Sequence, residues 1–451
     1  MKPPLFLAAA LAVSCQSVPP SIAGGAFDPA SLMKPTPFVL DAAFLSSHGI
    51  DGATFYVSPN GSDQNPGSAG APFATIQKGI DTARPGDTIA VTDGIYTALP
   101  TRNVADFYKK SGTPDHWILL TAAPGQHPRI QFTGWDGITI QGSSYIAVSG
   151  FTVEGNAANV TLDEARRLAG TSSPATRGNG ITVTRCWNDP RAHSTHVLIA
   201  NSVVYGCCGG GINTNAADYV EIRGNTVCFN AFYAPNATSG ISLYQNWNSD
   251  ASAAVKMIIS GNLAFGNENL LPFLYDTATP KRVTDGNGII VDDSQNTQEF
   301  SGNDRSAGPY TGQTLIENNV CFDNGGRGLN VYQSAHVTAR RNTFYFNLKH
   351  PEISGGEITV SHGDDVDLEE NIAVSRYGQK PSARALTVNA STRVVIAESV
   401  LFGGPPEAPA SQGNVSADPL FVRASTDPRT ADFGLRPESP ARGLGAIRSE
   451  P

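Results

Sequence analysis

A chain of 451 residues is longer than one hydrophobic core can serve, because single cores stop growing at about 250–300 residues, so it needs several domains or a repeat. Its 46 glycines and 31 prolines are scattered rather than blocked and only 16% of residues are charged, a composition that favours the repeat. A formal net charge of −9 argues against nucleic acid or an anionic membrane as the partner.

Residues 1–23 read as an export signal, with Lys2 as the positive start, Leu5 to Val13 as the apolar centre and small residues after it. Two processing routes fit. Leu11-Ala12-Val13-Ser14-Cys15 is lipobox-like and would leave a lipid anchor on Cys15, whereas Ser21-Ile22-Ala23 suits ordinary signal peptidase. Either route predicts a secreted, periplasmic or cell-surface protein in an oxidising compartment. Residues 24–50 read as a linker and 51–451 as one domain, expected to be a monomer with no transmembrane segment. Past Cys15 the cysteines are Cys186, Cys207, Cys208, Cys228 and Cys321, an odd set without zinc spacing. They are expected as buried small apolar side chains, with Cys186 to Cys207 or Cys208 the one bridge to consider.

Inside the domain, Phe73 to Ala83 reads as a short amphipathic helix stopped by Pro85-Gly86, and Asp87 to Tyr96 begins the first strands. A phrase then recurs: Gly180-Ile181-Thr182-Val183, Gly211-Ile212-Asn213-Thr214, Gly240-Ile241-Ser242-Leu243, Gly288-Ile289-Ile290-Val291, Gly328-Leu329-Asn330-Val331, Glu357-Ile358-Thr359-Val360 and Ala385-Leu386-Thr387-Val388. A second phrase follows, as in Val220 to Val227, Val337 to Phe344 and Val366 to Ala373. It joins two short strands by a tight turn and sets Asn225, Asn262, Asn318, Asn342 and Asn371 in one column. A coil of three short strands per turn explains both phrases. Alternating apolar residues point inward and stack on their equivalents in the next coil. Asn tolerates the left-handed backbone of a sharp corner, and its stacked amides can hydrogen-bond along the column. A minimal coil needs about 20 residues, so the longer repeats carry insertions, and the end coils need covering.

Tyr56-Val57-Ser58-Pro59-Asn60-Gly61-Ser62-Asp63, Pro72-Phe73-Ala74-Thr75-Ile76-Gln77 and Pro85-Gly86-Asp87-Thr88-Ile89 resemble the opening segment of bacterial pectate-lyase-like β-helix proteins. Ala417-Asp418-Pro419-Leu420-Phe421, with Leu435-Arg436-Pro437-Glu438-Ser439-Pro440-Ala441, is similar to their C-terminal close. The resemblance implies an all-β, single-stranded right-handed parallel β-helix with three sheets per coil and an N-terminal capping helix. It also implies that the Gly-Ile-x-Val phrase forms the first sheet, which carries a sugar-binding groove. Lyases, hydrolases, epimerases and adhesins share this scaffold, so the likeness speaks to fold more than to reaction.

Alternation sends outward the residue between Ile and Val and the residue after Val. That outward column reads Thr184, Asn215, Tyr244, Asp292, Tyr332, Ser361 and Asn389, and the next position reads Arg185, Ala216, Gln245, Asp293, Gln333, His362 and Ala390. Tyr244, Gln245, Asn330, Tyr332 and Gln333 are the expected sugar-binding residues. Four insertions flank the same coils, Phe229 to Ser239 and Asn267 to Asp285 before the first-sheet strand, Asn246 to Ala254 and Ser294 to Gln313 after it, and would wall a groove.

Asp285, Asp292 and Asp293 bring three carboxylates around one strand, a density of hard oxygens that suits Ca²⁺ and its need for about six to eight ligands. A solvated turn with a loop-capping Asp285, or a catalytic carboxylate pair, are the competing readings. Arg327, Lys349 and His362 are the catalytic candidates. A uronate lyase needs a cation against the substrate carboxylate and a base for the neighbouring proton. Arg327 can also act as a carboxylate clamp, and His362 beside Gly363-Asp364-Asp365 can shuttle protons or cap a turn. The expectation is a secreted lyase that cleaves an acidic, uronate-containing polysaccharide by β-elimination. A glycoside hydrolase using Asp292 with Asp293 or Asp364, and a non-catalytic carbohydrate-binding surface protein, are the alternatives. Clean copies of the pectate-lyase calcium and arginine motifs are absent, which leaves the sugar open.

Overall fold

The computed structural model describes residues 32–299, 303, 305–405 and 412–446. The export signal and Cys15 lie outside the described residues. Each coil contributes one strand to each of three parallel sheets, for example Ile212–Asn215, Asp218–Arg223 and Thr226–Cys228. Among the described residues the first sheet has nine strands, from Ala105–Tyr108 to Ala383–Asn389; the second has eleven, from Thr54–Val57 to Thr392–Ala397; the third has ten, from Ile95–Tyr96 to Val400–Phe402. The recurring phrase forms the first sheet, as expected. Ile181, Ile212, Ile241 and Ile289 stack in register, followed by Leu329 and Ile358, all buried. Each coil alone exposes its apolar side, and stacking turns these sides into one continuous core.

The N-terminal end is plugged by the helix Ile76–Thr82, inside the expected span. Thr75 caps it by accepting from the Lys78 N–H at 3.1 Å, and Ile76 and Ile80 face the core. A Cβ at Gly79 would stand 2.7 Å from Ile89, so glycine lets the helix sit down on the first coil. The strand Thr54–Val57 precedes this helix and pairs with Thr88–Val91, so the sheet begins before Asp87. On the outer face of the third sheet an antiparallel pair, Phe421–Arg423 with Asp432–Leu435, lays Phe421 and Phe433 against Tyr345 and Phe322.

Two expectations are corrected by the packing. The described part of the predicted linker, residues 32–50, is a strap docked on the second sheet. Phe38 N–H donates to Asn201 Oδ1 at 2.8 Å, Asn201 Nδ2 returns a bond to Phe38 O at 2.9 Å, and Thr36 N–H donates to Gly261 O at 3.1 Å. The cause is that Leu119, Ala147, Leu198 and Ala200 are apolar at outward positions, and Phe38, Leu40, Phe44, Leu45 and Ile50 cover them.

The second correction concerns the Asn column, which runs Asn225, Asn262, Asn319, Asn342, Asn371. Each Nδ2 donates to the next Oδ1 at 3.0 Å, and Asn318 is not a member. The left-handed residue is the one before each ladder Asn: Gly224 (φ 62°), Gly261 (φ 68°), Asn318 (φ 56°), Arg341 (φ 53°) and Glu370 (φ 54°). The corner therefore divides two tasks, backbone reversal and amide stacking, between adjacent residues. A second ladder, Asn230, Asn267, Asn324 and Asn347, lines the corner between the third and first sheets. It ends on Glu357, whose Oε2 accepts from Asn347 N–H at 3.1 Å and Nδ2 at 2.6 Å. Burial raises that carboxyl from 4.5 to about 8. Cys186, Cys207, Cys208, Cys228 and Cys321 are all buried and free, as small core side chains.

Candidate functional site

Strand pairing stacks Thr184, Asn215, Tyr244, Asp292, Tyr332, Ser361 and Asn389 directly on one another, as the alternation predicts. Around its middle members lies a groove of about 1040 Å³. Three of the four insertions wall it. Residues 267–285 supply Tyr275, Arg282, Thr284 and Asp285; residues 294–313 supply Gln298, Glu299 and Asn303; residues 229–239 supply Asn236 and Thr238. The fourth, 246–254, turns the other way: Trp247 stacks on His193 at 4.0 Å between centroids, and Asp250 pairs with buried Lys256 at 2.6 Å.

The position after the column is the corner itself, with left-handed backbone at Gln245 (φ 50°), Asp293 (φ 52°), Gln333 (φ 47°) and His362 (φ 55°). This redirects several predicted residues. Gln245 is buried and donates through Nε2 to Asp293 Oδ2 at 2.9 Å. Asp293 also accepts from Thr297 N–H (2.6 Å) and Oγ1 (2.9 Å) and from Gln298 N–H (3.0 Å), so it anchors the wall. Gln333 lines the groove. His362 is exposed one residue past Ser361, its ring edge-on to Tyr332 at 6.0 Å. Lys349 is turned away from the groove and paired with Glu268 at 3.1 Å and Asp323 at 3.6 Å. Those pairings come from loops whose folding the local sequence does not announce.

Tyr244, Asn330, Tyr332, Asp285, Asp292 and Arg327 do meet in the groove. Asp292 Oδ1 accepts from Gln298 Nε2 at 2.7 Å, and burial holds its carboxyl well above the usual range, with Asp285 and Asp293 adding repulsion. Asp285 accepts from Thr284 Oγ1 at 2.7 Å and Asn287 Nδ2 at 2.9 Å. Burial raises it while the Arg327 charge opposes. The Arg327 guanidinium donates to the Thr284 and Ser354 carbonyls, each at 3.1 Å, and its Nε is buried without a partner. Tyr332, 36% exposed, is kept protonated by partial burial and by the charge of Asp292. Tyr244 accepts from Asn303 Nδ2 at 2.6 Å.

Of the three expected calcium ligands, Asp285 and Asp292 line the groove and Asp293 does not. Both oxygens of Asp293 are spent on the wall, and the Arg327 cation already stands beside Asp285. Among the described residues no three His, Cys, Asp or Glu side chains gather to share a metal ion. Sequence reasoning also missed the far half of the groove, lined by Arg177, Asn179, Thr182 and Asn213. There Asp136 accepts from Thr139 Oγ1 at 3.0 Å and Asn179 Nδ2 at 3.1 Å, and burial raises it to about 6. The available signal was the residue between Ile and Val, outward in every phrase.

Fold and site together define a parallel β-helix with a long polar groove on its first sheet. The chain matches the family described as Pel9A-like, right-handed β-helix region, over residues 55–355, and belongs to it. It is 42% identical over 74 residues to pectate lyase PEL9 of Emericella nidulans, a match spanning 16% of this chain and 17% of that protein. The crystal structure of pectate lyase Pel9A superposes with a TM-score of 0.51 at 18% identity, covering 88% of this chain and 93% of that one. A rhamnogalacturonan lyase structure gives 0.46 at 15% identity, covering 88% and 100%.

Proposed function

We propose that this protein is an exported polysaccharide lyase that cleaves a uronate-containing glycan by β-elimination. The observation that carries the reading is the meeting of Arg327 with Asp292 and Tyr332 on one groove floor. Arg327 has N–H groups to spare beyond its two carbonyl bonds and takes the substrate carboxylate, which acidifies the neighbouring proton. Asp292, whose carboxyl holds a proton more tightly than an ordinary aspartate, is in its ionised form the base that removes that proton. The electron pair forms the ring double bond, the glycosidic bond at the β-carbon breaks, and the departing oxygen takes a proton from Tyr332. Proton return from Asp292 to Tyr332 restores both groups. Atoms balance with one unsaturated uronate and one new hydroxyl end. Membership of the Pel9A-like family supports this reaction class.

Digestion of an acidic-glycan panel, followed by the ultraviolet absorbance of unsaturated uronates, tests the reading. Absorbance should rise with at least one polyuronate, and reducing ends without absorbance would overturn it. One observation favours a second reading. Asp285 and Asp292 form a half-buried carboxylate pair with raised affinity for a proton, the arrangement an acid and base of a glycoside hydrolase need. Reducing ends without absorbance is the outcome that reading expects.

A further inference from the structure

Three arginines line the groove: Arg177, Arg282 and Arg327. Arg282 is spent on Asp276 at 3.2 Å. The other two share a different arrangement. Each guanidinium is held by main-chain carbonyls, Arg177 Nη2 on Ala169 O at 3.0 Å and Arg327 on Thr284 O and Ser354 O. Each also keeps a buried Nε with no partner. A buried N–H donor without an acceptor costs about 1–3 kcal/mol, so its persistence at two matching places asks for a ligand acceptor. Asn213, which lines the same groove, likewise has a buried Nδ2 with no partner.

Arg177 leads into the strand Asn179–Thr184 and Arg327 into Leu329–Tyr332. In the first sheet those strands are four steps apart, and parallel neighbours lie about 4.8 Å from each other, so the two guanidiniums are separated by roughly 19 Å along the helix axis. A single sugar ring is far shorter than that. We infer that Arg177 and Asn213 form a second carboxylate-binding subsite, remote from the reacting bond, so that the groove selects an extended polyuronate running parallel to the coil axis and gripped by acid groups at both ends. This rests on the lyase reading for the central site, although binding at Arg177 does not need that chemistry. Binding energy realised far from the reacting centre is a recognised way to select a chain over its fragments.

The test compares a long polyuronate with an oligomer too short to reach both arginines, in wild type, Arg177→Gln and Arg177→Lys. The wild type should prefer the long chain in kcat/KM. Arg177→Gln should reduce that preference about tenfold, through KM, with Arg177→Lys in between. An unmutated control uses the same long chain with its carboxyl groups reduced to alcohols, which should lose the advantage of length in wild type. An unchanged long-to-short ratio in Arg177→Gln, or a length preference that survives carboxyl reduction, overturns the inference while leaving the lyase standing. Should no polyuronate be cleaved at all, calorimetric titration of the intact chain still decides: weaker binding by Arg177→Gln supports the subsite, and equal binding removes it.

Discussion

In the proposed reaction Asp292 would serve chemistry at the expense of its own fold. Its raised carboxyl binds a proton more tightly folded than unfolded, so its contribution to stability is full in acid and is lost as pH rises through the folded-state value. Asp292→Asn removes the ionisation. The variant should lose about 10²–10⁴-fold in turnover, the usual share of a positioned base. It should also melt at a higher temperature than wild type in neutral buffer, with the gap closing in acid. Initial rates and thermal melts check both; an active variant, or one less stable at neutral pH, contradicts the assignment. Asp292 was legible in the sequence because strand alternation fixes its direction. Asp293 and Gln245 were not, because the left-handed corner directly after the strand turns them out of the column. Lys349 was misread for another reason: its partners Glu268 and Asp323 come from other coils.

At the scale of the corner, adjacent residues carry opposite sensitivities. Asn319→Ala deletes the acceptor of Asn262 N–H and Nδ2 and the donor to Ile259 O and Asn342 Oδ1, all buried. Leaving these groups unpaired should cost about 3 kcal/mol in a denaturant titration. Asn318→Gly should change stability by no more than about 0.5 kcal/mol, since glycine adopts φ 56° freely. Equal effects would mean that the ladder is not what holds the corner. The second ladder gives a pH signature. Glu357 titrates near 8 folded against an ordinary 4.5, so the stability it supplies is present below 4.5 and drains away as pH rises toward 8. Glu357→Gln, a neutral isostere, should flatten that decline and leave the variant the more stable protein above pH 8. Parallel slopes in melts across this range would refute the shift. The periodic phrases made the existence of these corners readable from sequence; the one-residue offset between reversal and stacking was not, because Asn suits both tasks and Asn318-Asn319 offers two candidates side by side.

For the molecule as a whole, the carboxylate arrangement bears on calcium. With Asp293 committed to the wall, millimolar calcium should shift the melting temperature little, and a chelator should leave it unchanged, whereas a site filled at 100 times its dissociation constant would add about 2.7 kcal/mol. A clear rise with calcium would show that neutral groove oxygens complete a site around Asp285 and Asp292. The stacked architecture and groove were accessible from sequence because they follow from a repeated local rule; the strap was not, since its bonds join residues more than a hundred positions apart. That strap has a temporal consequence. Thr36 reaches Gly261 and Phe38 reaches Asn201 in the middle coils, whereas Met33 N–H reaches Pro428 O at 3.0 Å, so the earliest part of the described chain also latches onto a late one. A chain emerging N-terminus first holds the hasp long before the staple exists. The middle coils can take up Thr36 and Phe38 as they form, but the Met33 bond waits for Pro428, beyond the last coil.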